Sequence, residues 1–490
     1  MTGRKTFFRL MAFVIGLLIV MIYPLSSLGT RNGLEEMVSE FRRETKCPAI
    51  SVVTYDHGTV EYCGDENGLF QIGSMTKAFT GLAVQKLIHE GTLKESDKLS
   101  DVLTGFEAYY QGDKAEITVG QLMRQTSGYT NSEKLYPSAI AGQGLAAWAE
   151  SISRKNLQSA PGEKYAYSNV NYNLLGAMLE KVTGRSYQDY MEQEILTPLG
   201  LTNTFVGKPK DGGLDEDKEA QDASKSGVGK KIAGKTVIEG SRLIFRHAIP
   251  YHVTVREGAI PAGYFYSNVT DVGRWMEIWM GIADMPVEYQ ELVREVKAEL
   301  KEKGDYYGGW ECFGDGVTGH SGGTPNYSSR IVFSEKDKVG GCVLTNLNVA
   351  ASTDSLCNGL LEMLRGGEKG AIASDVWTIF DQVFSALCVA GVFVLLVCIR
   401  SKKRGMLMAV GGGMLVLTIV MMITFPLIFG AGILDILLIW APLSMATFFG
   451  VALLCVMAAG IKIWMGRGHE DYKKTSEGSA ADGDRGVPGI

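Results

Sequence analysis

The sequence predicts a mixed α+β domain that is followed by three transmembrane helices. Predicted strand pairs lie near the two ends of the domain, at 49–62 and at 328–346, and predicted helices occupy the sequence between them. Three long apolar runs follow, at about 376–399, 405–430 and 433–464. Each run exceeds the ~20 residues that a helix needs to cross a bilayer. The expected fold class is therefore α+β, with a membrane-spanning region on its C-terminal side.

The helices of the domain are predicted from apolar residues at helical spacing. The segment 34–44 is amphipathic, and the segment that begins at Ser74 keeps an apolar face up to about Gly91. A strongly apolar helix at 171–182 stops at Gly184. Further helices are predicted at 119–123, 140–154 and 352–365, and a turn followed by a helix at 261–280. The segment 207–235, rich in Gly, Lys and Asp, is predicted to be a mobile surface loop.

Composition argues against several classes of function. The chain of 490 residues is 46% hydrophobic and carries a formal net charge of −6 without a basic stripe, so no nucleic-acid partner is predicted. Six scattered histidines and the lack of a Cys-x-x-Cys motif predict no metal site and no cofactor. Five of the eight cysteines lie outside the apolar runs, and this odd number argues against a complete disulfide framework. The sequence gives no indication of the oligomeric state.

Basic residues around the apolar runs predict the membrane topology. Residues 1–29 combine basic residues with an apolar run, which is typical of a signal peptide or an N-terminal anchor. Basic residues also lie between the first two C-terminal runs, at 400–404, and after the third run. By the positive-inside rule both of these segments are cytoplasmic, so the domain lies outside the cell membrane. The predicted organisation is a signal or anchor at 1–29, an extracytoplasmic domain at 30–368, three transmembrane helices in the lipid bilayer at 374–464, and a disordered cytoplasmic tail at 465–490.

Ser74 and Lys77 form the only Ser-x-x-Lys pattern in the chain. At the start of a helix, this spacing places both side chains on one face, one turn apart. A lysine whose pKa is lowered by burial can take the proton of the serine, and the helix N-terminus favours the negative charge that develops. Gly73 allows a sharp turn just before the helix. The pattern predicts a nucleophilic serine with a lysine base, although serine is also a common helix cap.

Two further motifs carry groups that suit the same chemistry. Tyr167 and Asn169 form a Tyr-x-Asn pattern ahead of the helix at 171–182. Beside a lysine, a phenol ionises more easily or relays a proton to a leaving group, and an asparagine can donate to an amide carbonyl. His320 and the glycines that end at Gly323 precede the predicted strand at 328. The glycines let a substrate backbone approach closely, and a backbone N–H can face an oxyanion.

The segment 319–323 also spells Gly-x-Ser-x-Gly, the nucleophile elbow of α/β-hydrolases. That elbow requires a strand, a sharp turn and a helix, with an acid and a histidine later in the chain. Here a predicted strand follows the motif, and the only later histidine is His469, beyond the three apolar runs. The context therefore favours Ser74 over Ser321 as the nucleophile.

The three motifs resemble those of the penicillin-recognising serine hydrolases, in the branch that contains class C β-lactamases and related esterases and peptidases. In this sequence the motifs are Ser74-x-x-Lys77, Tyr167-x-Asn169 and His320-x-Gly322, with supporting stretches at 125–128, 198–201 and 261–267. The resemblance covers roughly residues 33–366. It implies a β-lactamase/transpeptidase-like fold, in which an antiparallel sheet flanked by helices and a helical lobe enclose the active site between them.

The resemblance also implies a role for each predicted site residue. Ser74 would be the nucleophile, Lys77 its base, and Tyr167 the relay that protonates the leaving group. Asn169 would hold the substrate amide, and the backbone N–H groups of Ser74 and Gly323 would form the oxyanion hole. No metal is implied.

Two positions depart from the pattern of the family. His320, a predicted substrate-binding residue, stands where many members have lysine, which weakens the expectation of a site that binds a carboxylate. Gln125 stands where a histidine is common.

The layout of the whole chain is similar to one subgroup, the membrane-bound prodrug-activating D-asparaginyl peptidases of the colibactin-maturing type. In that subgroup Asn326 would help to read a polar substrate side chain. The implied function is a membrane-anchored serine hydrolase that cleaves an amide or peptide bond of a small-molecule or peptide substrate through an acyl-enzyme on Ser74. The alternatives are a class C-type β-lactamase, a D-alanyl-D-alanine carboxypeptidase or an esterase, and, from a different class, a non-catalytic cell-wall sensor.

Overall fold

The computed structural model describes residues 33–132, 136, 142–209, 229–232 and 235–482. The predicted signal or anchor at 1–29 lies outside these residues, as does most of the predicted loop at 207–235. The last part of that predicted loop is a hairpin in which Gly229–Ile232 pairs with Lys235–Ile238.

The described residues form the following strands and helices. The strands are β1 (Ile50–Asp56), β2 (Thr59–Cys63), β3 (Phe70–Gln71), β4 (Ala108–Tyr110), β5 (Asp113–Ala115), β6 (Phe205–Val206), β7 (Gly229–Ile232), β8 (Lys235–Ile238), β9 (Ser241–Ile244), β10 (His247–Pro250), β11 (Phe265–Ser267), β12 (Tyr306–Tyr307), β13 (Trp310–Cys312), β14 (Val317–Thr324), β15 (Tyr327–Ser334) and β16 (Val339–Thr345). The α-helices are α1 (Gly33–Thr45), α2 (Thr76–His89), α3 (Leu99–Val102), α4 (Val119–Met123), α5 (Leu145–Ile152), α6 (Asn169–Thr183), α7 (Tyr187–Met191), α8 (Ile260–Gly263), α9 (Val269–Met280), α10 (Val287–Lys303), α11 (Ala350–Leu364), α12 (Val376–Arg400), α13 (Arg404–Phe429), α14 (Ile433–Asp435) and α15 (Leu443–Asp482).

A seven-stranded antiparallel sheet organises the domain, with strand order β12-β13-β14-β15-β16-β1-β2. The hairpin β1–β2, from the start of the domain, completes a sheet whose other strands come from its end, because β1 pairs with β16. β14 pairs with β15 along its whole length, but with β13 only at Gly319 and Thr318. The edge of β14 from His320 to Thr324 is therefore not covered by β13.

Helices pack on both faces of this sheet. A Cβ built on Gly340 of β16 would meet the Met276 sulfur of α9, whereas a Cβ built on the next residue, Gly341, would point towards the Cys357 sulfur of α11. Successive residues of a strand face opposite sides of the sheet, so α9 and α11 cover different faces. This explains why every residue of β15 and β16 is buried. The predicted α+β class with an antiparallel sheet flanked by helices is confirmed.

Helix α2 lies at the centre of the domain. Every residue from Thr76 to Leu87 is buried, and the helix contacts α6, α8 and α10. A helix that is enclosed on all sides belongs to a core rather than to a surface. Its bounds agree with the helix predicted between Ser74 and Gly91. The predictions at 34–44, 119–123 and 171–182 are also confirmed, by α1, α4 and α6.

The segment 320–323 differs from its prediction. The glycines were expected to precede a strand, but they lie inside β14, where Gly322 is opposite Ser329 and Gly323 is opposite Ser328. Glycine and serine have weak intrinsic strand preference, so pairing with β15 decides this conformation. Because 319–323 continues as one strand into the β14–β15 hairpin, it does not form the strand, turn and helix of a nucleophile elbow.

Three C-terminal helices are long and apolar enough to cross a membrane: Val376–Arg400, Arg404–Phe429 and Leu443–Gly466. The third differs in detail from the predicted run at 433–464. The backbone is extended at Ala441, because a residue that precedes proline, here Pro442, is disfavoured in the α conformation. The third long helix therefore begins at Leu443. The tail predicted to be disordered from 465 continues this helix to Asp482, since extending an existing helix needs no new nucleation.

Candidate active site

Ser74 lies in a single 3₁₀ turn, Gly73–Met75, that runs directly into α2. Gly73 has φ +51°, in the left-handed region that favours glycine. A Cβ on Gly73 would lie 2.4 Å from the Gly323 nitrogen and 2.8 Å from the Gly322 carbonyl carbon. The backbone of β14 therefore lies directly against the turn that carries Ser74. This contact brings the predicted oxyanion-hole amide of Gly323 next to the predicted nucleophile.

A second close contact, between Gly322 and Ile72, fixes the position of β14 relative to the turn that carries Ser74. A Cβ on Gly322 would lie 2.1 Å from the Ile72 carbonyl oxygen, and the Ser329 hydroxyl donates to the same oxygen at 2.8 Å. Glycine at 322 is thus required by the space between two backbones. Gly323 is exposed, and a Cβ there would meet no atom within 4 Å. The strand edge beside Ser74 is open at this residue.

Lys77 is fully buried, and its Nζ has three partners. It lies 3.0 Å from Ser74 Oγ, 2.7 Å from Asn169 Oδ1 and 2.6 Å from the Ala262 carbonyl oxygen. The amide and carbonyl oxygens can only accept hydrogen bonds, whereas the serine hydroxyl can also donate one. A neutral lysine satisfies this geometry with two N–H donors and one lone pair directed at the Ser74 hydroxyl.

Electrostatics favour the neutral form of Lys77. Burial lowers the pKa of its ammonium well below the ordinary value, and the negative charge of Glu311 opposes this shift only in part. In contrast, Lys86 on the same helix is also buried but has a raised pKa. There burial alone would lower the pKa, and the hydrogen bonds and charges of Glu288 and Glu90 outweigh it. Lys77 thus has the lowered pKa that suits a lysine to act as a general base.

Tyr167 completes the group around Ser74. Its phenol forms a hydrogen bond with Ser74, and its ring centroid lies 4.9 Å from Lys77 Nζ. Burial raises the pKa of the phenol, and the hydrogen bond with Ser74 lowers it less. The expectation that Tyr167 ionises more easily is therefore wrong, because loss of solvent disfavours the phenolate. The neutral phenol remains suited to relaying a proton.

Gln125 holds the loop that presents Tyr167. Its backbone oxygen accepts from the Ala166 N–H at 2.8 Å, and its side-chain oxygen accepts from the Ser168 N–H at 2.9 Å and from the Asn171 amide at 2.5 Å. Gln125 adopts φ +59°, which is uncommon for a residue other than glycine and clusters at functional sites. Sequence analysis identified Gln125 only as a departure from the family pattern, because its hydrogen bonds to the Tyr167 loop form only in the folded protein.

Asn169 lies at the first turn of α6 and is exposed. Its Oδ1 accepts from Lys77, which orients the amide so that Nδ2 is the group directed to other acceptors. Its backbone N–H donates to Asn131 Oδ1 at 2.7 Å. The structure thus brings Ser74, Lys77, Tyr167 and Asn169 together, with Gly323 beside them.

His320 differs from its prediction as a substrate-binding side chain. The ring is 2% exposed; Nδ1 lies 2.6 Å from the Ser321 carbonyl oxygen and Nε2 lies 3.2 Å from the Tyr306 hydroxyl. Because the carbonyl can only accept, Nδ1 carries the proton and Nε2 accepts from Tyr306. Burial, the charge of Lys77 and the charge of Arg330 lower the His320 pKa to about 3. His320 is a neutral residue that supports β14 and Tyr306.

Asn326 also differs from its expected role in reading the substrate. It is 4% exposed, and its amide donates to the Tyr251 carbonyl oxygen at 2.7 Å. The side chain is thus buried in the turn between β14 and β15, where long-range packing places the 251 segment over it.

Two parts of the site could not be predicted from any motif in the sequence. The Ala262 carbonyl is aimed at Lys77 because the Ala262 N–H donates to Asn173 Oδ1 at 3.1 Å, and because the Thr80 hydroxyl donates to the Pro261 oxygen at 2.7 Å. The second part is Glu311 on β13, which acts on Lys77 through its charge. Both depend on contacts between segments far apart in the chain.

Comparisons with known proteins agree with this geometry. The Beta-lactamase family model matches residues 34–361. Protein flp of Staphylococcus aureus (strain N315) is 31% identical over 288 residues, which cover 57% of this chain and 53% of that protein. A putative D-alanyl-D-alanine carboxypeptidase of Escherichia coli (strain K12) is 35% identical over 145 residues, which cover 28% of this chain and 33% of that protein. The match thus spans about half the length of the staphylococcal protein.

A class C β-lactamase mutant has the same fold, with a TM-score of 0.52 at 18% identity over 66% of this chain and 94% of that chain. At this identity the likeness concerns the fold alone. The family model, in contrast, covers the turn at Ser74, the Tyr167 loop and β14 in one continuous match. The chain belongs to the Beta-lactamase family.

Proposed function

We propose that this protein is a membrane-anchored serine hydrolase that cleaves an amide bond through an acyl-enzyme on Ser74. One observation carries the proposal: the buried Lys77 amine has two partners that only accept hydrogen bonds, and its third partner is the Ser74 hydroxyl. An amine held in this way can accept the serine proton as the hydroxyl attacks.

In the acylation step Ser74 Oγ forms a bond to the substrate carbonyl carbon, and its proton passes to Lys77 Nζ. The N–H groups of Ser74 and Gly323 stabilise the negative charge that develops on the carbonyl oxygen. The proton then passes to the leaving nitrogen by way of the Tyr167 phenol, which already forms a hydrogen bond with Ser74. The C–N bond breaks, the amine leaves, and the acyl group remains on Ser74.

In the deacylation step a water molecule attacks the acyl carbon. Its proton moves to the same phenol and amine pair, and the returning proton releases Ser74. Asn169 Nδ2 is suited to donate to the amide carbonyl of the acyl part, because Oδ1 is already bonded to Lys77. The two half-reactions thus use one set of groups.

For the substrate we propose an N-acyl-D-amino acid amide, the class that the prodrug-cap peptidases cleave. The neutral, buried His320 supports this choice, because it offers no cation to a free substrate carboxylate. The similarity to the putative D-alanyl-D-alanine carboxypeptidase of Escherichia coli supports a second candidate, a D-alanyl-D-alanine carboxypeptidase.

A comparison of three substrates separates these candidates. Membranes that contain the protein are given an N-acyl-D-asparagine amide, an acyl-D-alanyl-D-alanine peptide and the β-lactam nitrocefin. We expect the amide to have the highest kcat/KM, since the other two carry a carboxylate. A higher kcat/KM for the D-alanyl peptide or for nitrocefin would instead assign carboxypeptidase or β-lactamase activity.

We also propose that the hydrolase domain is extracytoplasmic and that the helix α15 ends in the cytoplasm. Basic residues at 400–404, between α12 and α13, support this orientation. Green fluorescent protein fused after residue 490 should fluoresce, and alkaline phosphatase fused at the same point should be inactive, because each reporter works on only one side. An active phosphatase fusion would reverse the orientation.

A further inference from the structure

Glu311 is a carboxylate beside the proposed active site that has no cationic partner among the described residues. It lies on β13, opposite Gly319 of β14, and its side chain is 29% exposed. His320 Nε2 lies 3.9 Å from Glu311 Oε1. That nitrogen accepts from Tyr306 on a neutral ring, so it does not balance the carboxylate.

More distant charges balance Glu311 only in part. Burial and the nearby Asp354 raise the pKa of the Glu311 carboxyl, whereas Arg330 and Lys77 lower it. Arg330 is itself bonded elsewhere, since its guanidinium donates to Ser321 Oγ at 2.7 Å and to Asn358 Oδ1. Lys77 is neutral in the proposed resting state. A ligand that supplies a positive charge would stabilise a partly buried carboxylate that has no close cation.

Aromatic rings border the same carboxylate. Tyr165 is 52% exposed, and its ring lies 6.0 Å from the ring of Tyr306, which precedes β13. Tyr306 lies directly opposite Glu311 in the β12–β13 pair, so the two side chains share one face of the sheet and the Tyr165 ring is near the carboxylate. Burial, and after it the charge of Glu311, raises the pKa values of Tyr165 and Tyr167. A carboxylate with an exposed aromatic ring beside it is suited to an ammonium or guanidinium group, which forms an ion pair with one and a cation–π contact with the other.

The position of Tyr167 indicates which part of the substrate would lie near Glu311. The Tyr167 ring lies 6.1 Å from the Tyr306 ring and 5.9 Å from the ring of His320, whose Nε2 is 3.9 Å from Glu311 Oε1. In the proposed mechanism Tyr167 delivers the proton to the leaving nitrogen. The leaving group, rather than the acyl part, is therefore directed towards Glu311.

We propose that Glu311 and Tyr165 form a subsite for a cationic group on the leaving part of the substrate, so that the enzyme prefers amides of amines that carry a second basic group. This inference rests on the proposed function, because it uses Ser74 and Tyr167 to define the leaving side. Glu311 is here a specificity-determining residue that touches substrate. The carboxylate accounts for the selectivity, and the exposed ring of Tyr165 adds to it.

The test uses three amides of one N-acyl-D-asparagine that differ only in the leaving amine. One amine ends in an ammonium group, the second in a methyl group of similar size, and the third in a carboxylate. The measured quantity is kcat/KM for each amide with the full-length protein, with Glu311→Gln, and with Glu61→Gln as the matched control. Glu61 is an exposed glutamate on β2, at the opposite edge of the same sheet.

We expect the wild type and Glu61→Gln to prefer the ammonium amide over the methyl amide by roughly tenfold or more, the range for a charge-assisted hydrogen bond. In Glu311→Gln this ratio should fall to about one. A structural effect through Lys77 would change all three amides by the same factor, so the ratio separates the two roles. An unchanged ratio in Glu311→Gln overturns the subsite.

A fluorophosphonate probe, which reacts with activated serines, distinguishes this inference from the function it rests on. If Ser74 is not labelled, the proposed hydrolase function fails, and the subsite with it. If Ser74 is labelled but none of the three amides is hydrolysed, the proposed substrate class fails together with the subsite. If the amides are hydrolysed but the ratio in the wild type is near one, the subsite alone is refuted.

Discussion

Replacing Ser74 with alanine is expected to abolish covalent labelling by a fluorophosphonate and to reduce kcat on the order of 10⁶-fold, as loss of a nucleophile does in other serine hydrolases. The loss follows because, of the three described partners of Lys77 Nζ, the Ser74 hydroxyl is the one that can give up a proton. The fold should survive, since Lys77 keeps its bonds to Asn169 and Ala262. Mass spectrometry of the labelled protein measures the effect directly.

Ser321→Ala is the matched control for this experiment. Ser321 is the serine of the Gly-x-Ser-x-Gly segment, but it lies inside β14 and its hydroxyl donates to Asp354 Oδ1 at 2.8 Å. The Ser321→Ala protein should therefore still be labelled. Labelling that persists in Ser74→Ala and disappears in Ser321→Ala would move the nucleophile to Ser321 and refute the proposed mechanism.

Replacing Lys77 with methionine is expected to lower the acylation rate on the order of 10³–10⁴-fold, at the upper end of general-base effects. Methionine fills much of the same buried space but cannot accept the Ser74 proton. Lys86→Met is the control, because Lys86 is a second buried lysine on α2 whose carboxylate partners keep it charged. Lys86→Met should lower the free energy of unfolding and leave acylation nearly intact. Equal losses of acylation in the two variants would contradict the assignment of Lys77 as base.

A comparison of the wild type with Lys77→Met should also show a pH dependence of the free energy of unfolding. The unfolded chain binds a proton at Lys77 up to its ordinary pKa of 10.5, whereas the folded protein releases that proton at a much lower pH. Since stability rises with pH wherever the unfolded state binds more protons, the wild type should gain stability relative to Lys77→Met as the pH rises towards 10.5. Denaturant unfolding at several pH values measures this difference. A difference that stays constant with pH would show that Lys77 is charged in the folded protein.

Local sequence patterns predicted the elements whose conformation depends on nearby residues. The central helix α2 and the apolar helix α6 were predicted because their apolar residues are contiguous or at helical spacing. The first two C-terminal helices that are long and apolar enough to cross a membrane were predicted, because length and apolarity are read directly from the sequence. The start of the third helix was predicted wrongly, because the effect of Pro442 on the backbone conformation of Ala441 was not considered.

In the active site, too, some features follow from the local sequence and others depend on residues distant in the chain. The spacing of Ser74 and Lys77 along one helical turn is a local property, so the sequence predicted their contact, which the structure has at 3.0 Å. Tyr167 was predicted to lie near them, either as a phenol that ionises more easily or as a proton relay. Burial raises its pKa and so disfavours the first alternative, and that burial depends on residues distant in the chain. The catalytic roles of these residues remain predictions that the variants above test.

The sequence by itself determined the secondary structure around Ser74, the order of the motifs and the apolar spans, since each depends on residues within a few turns of one another. Only the tertiary structure decided that 320–323 is a strand edge, that His320 is buried and neutral, that the Ala262 carbonyl faces Lys77, and that Glu311 lies beside the site. The physical reason is that strand pairing, loss of solvent and unbalanced charge arise between segments that meet only when the sheet and α2 pack together.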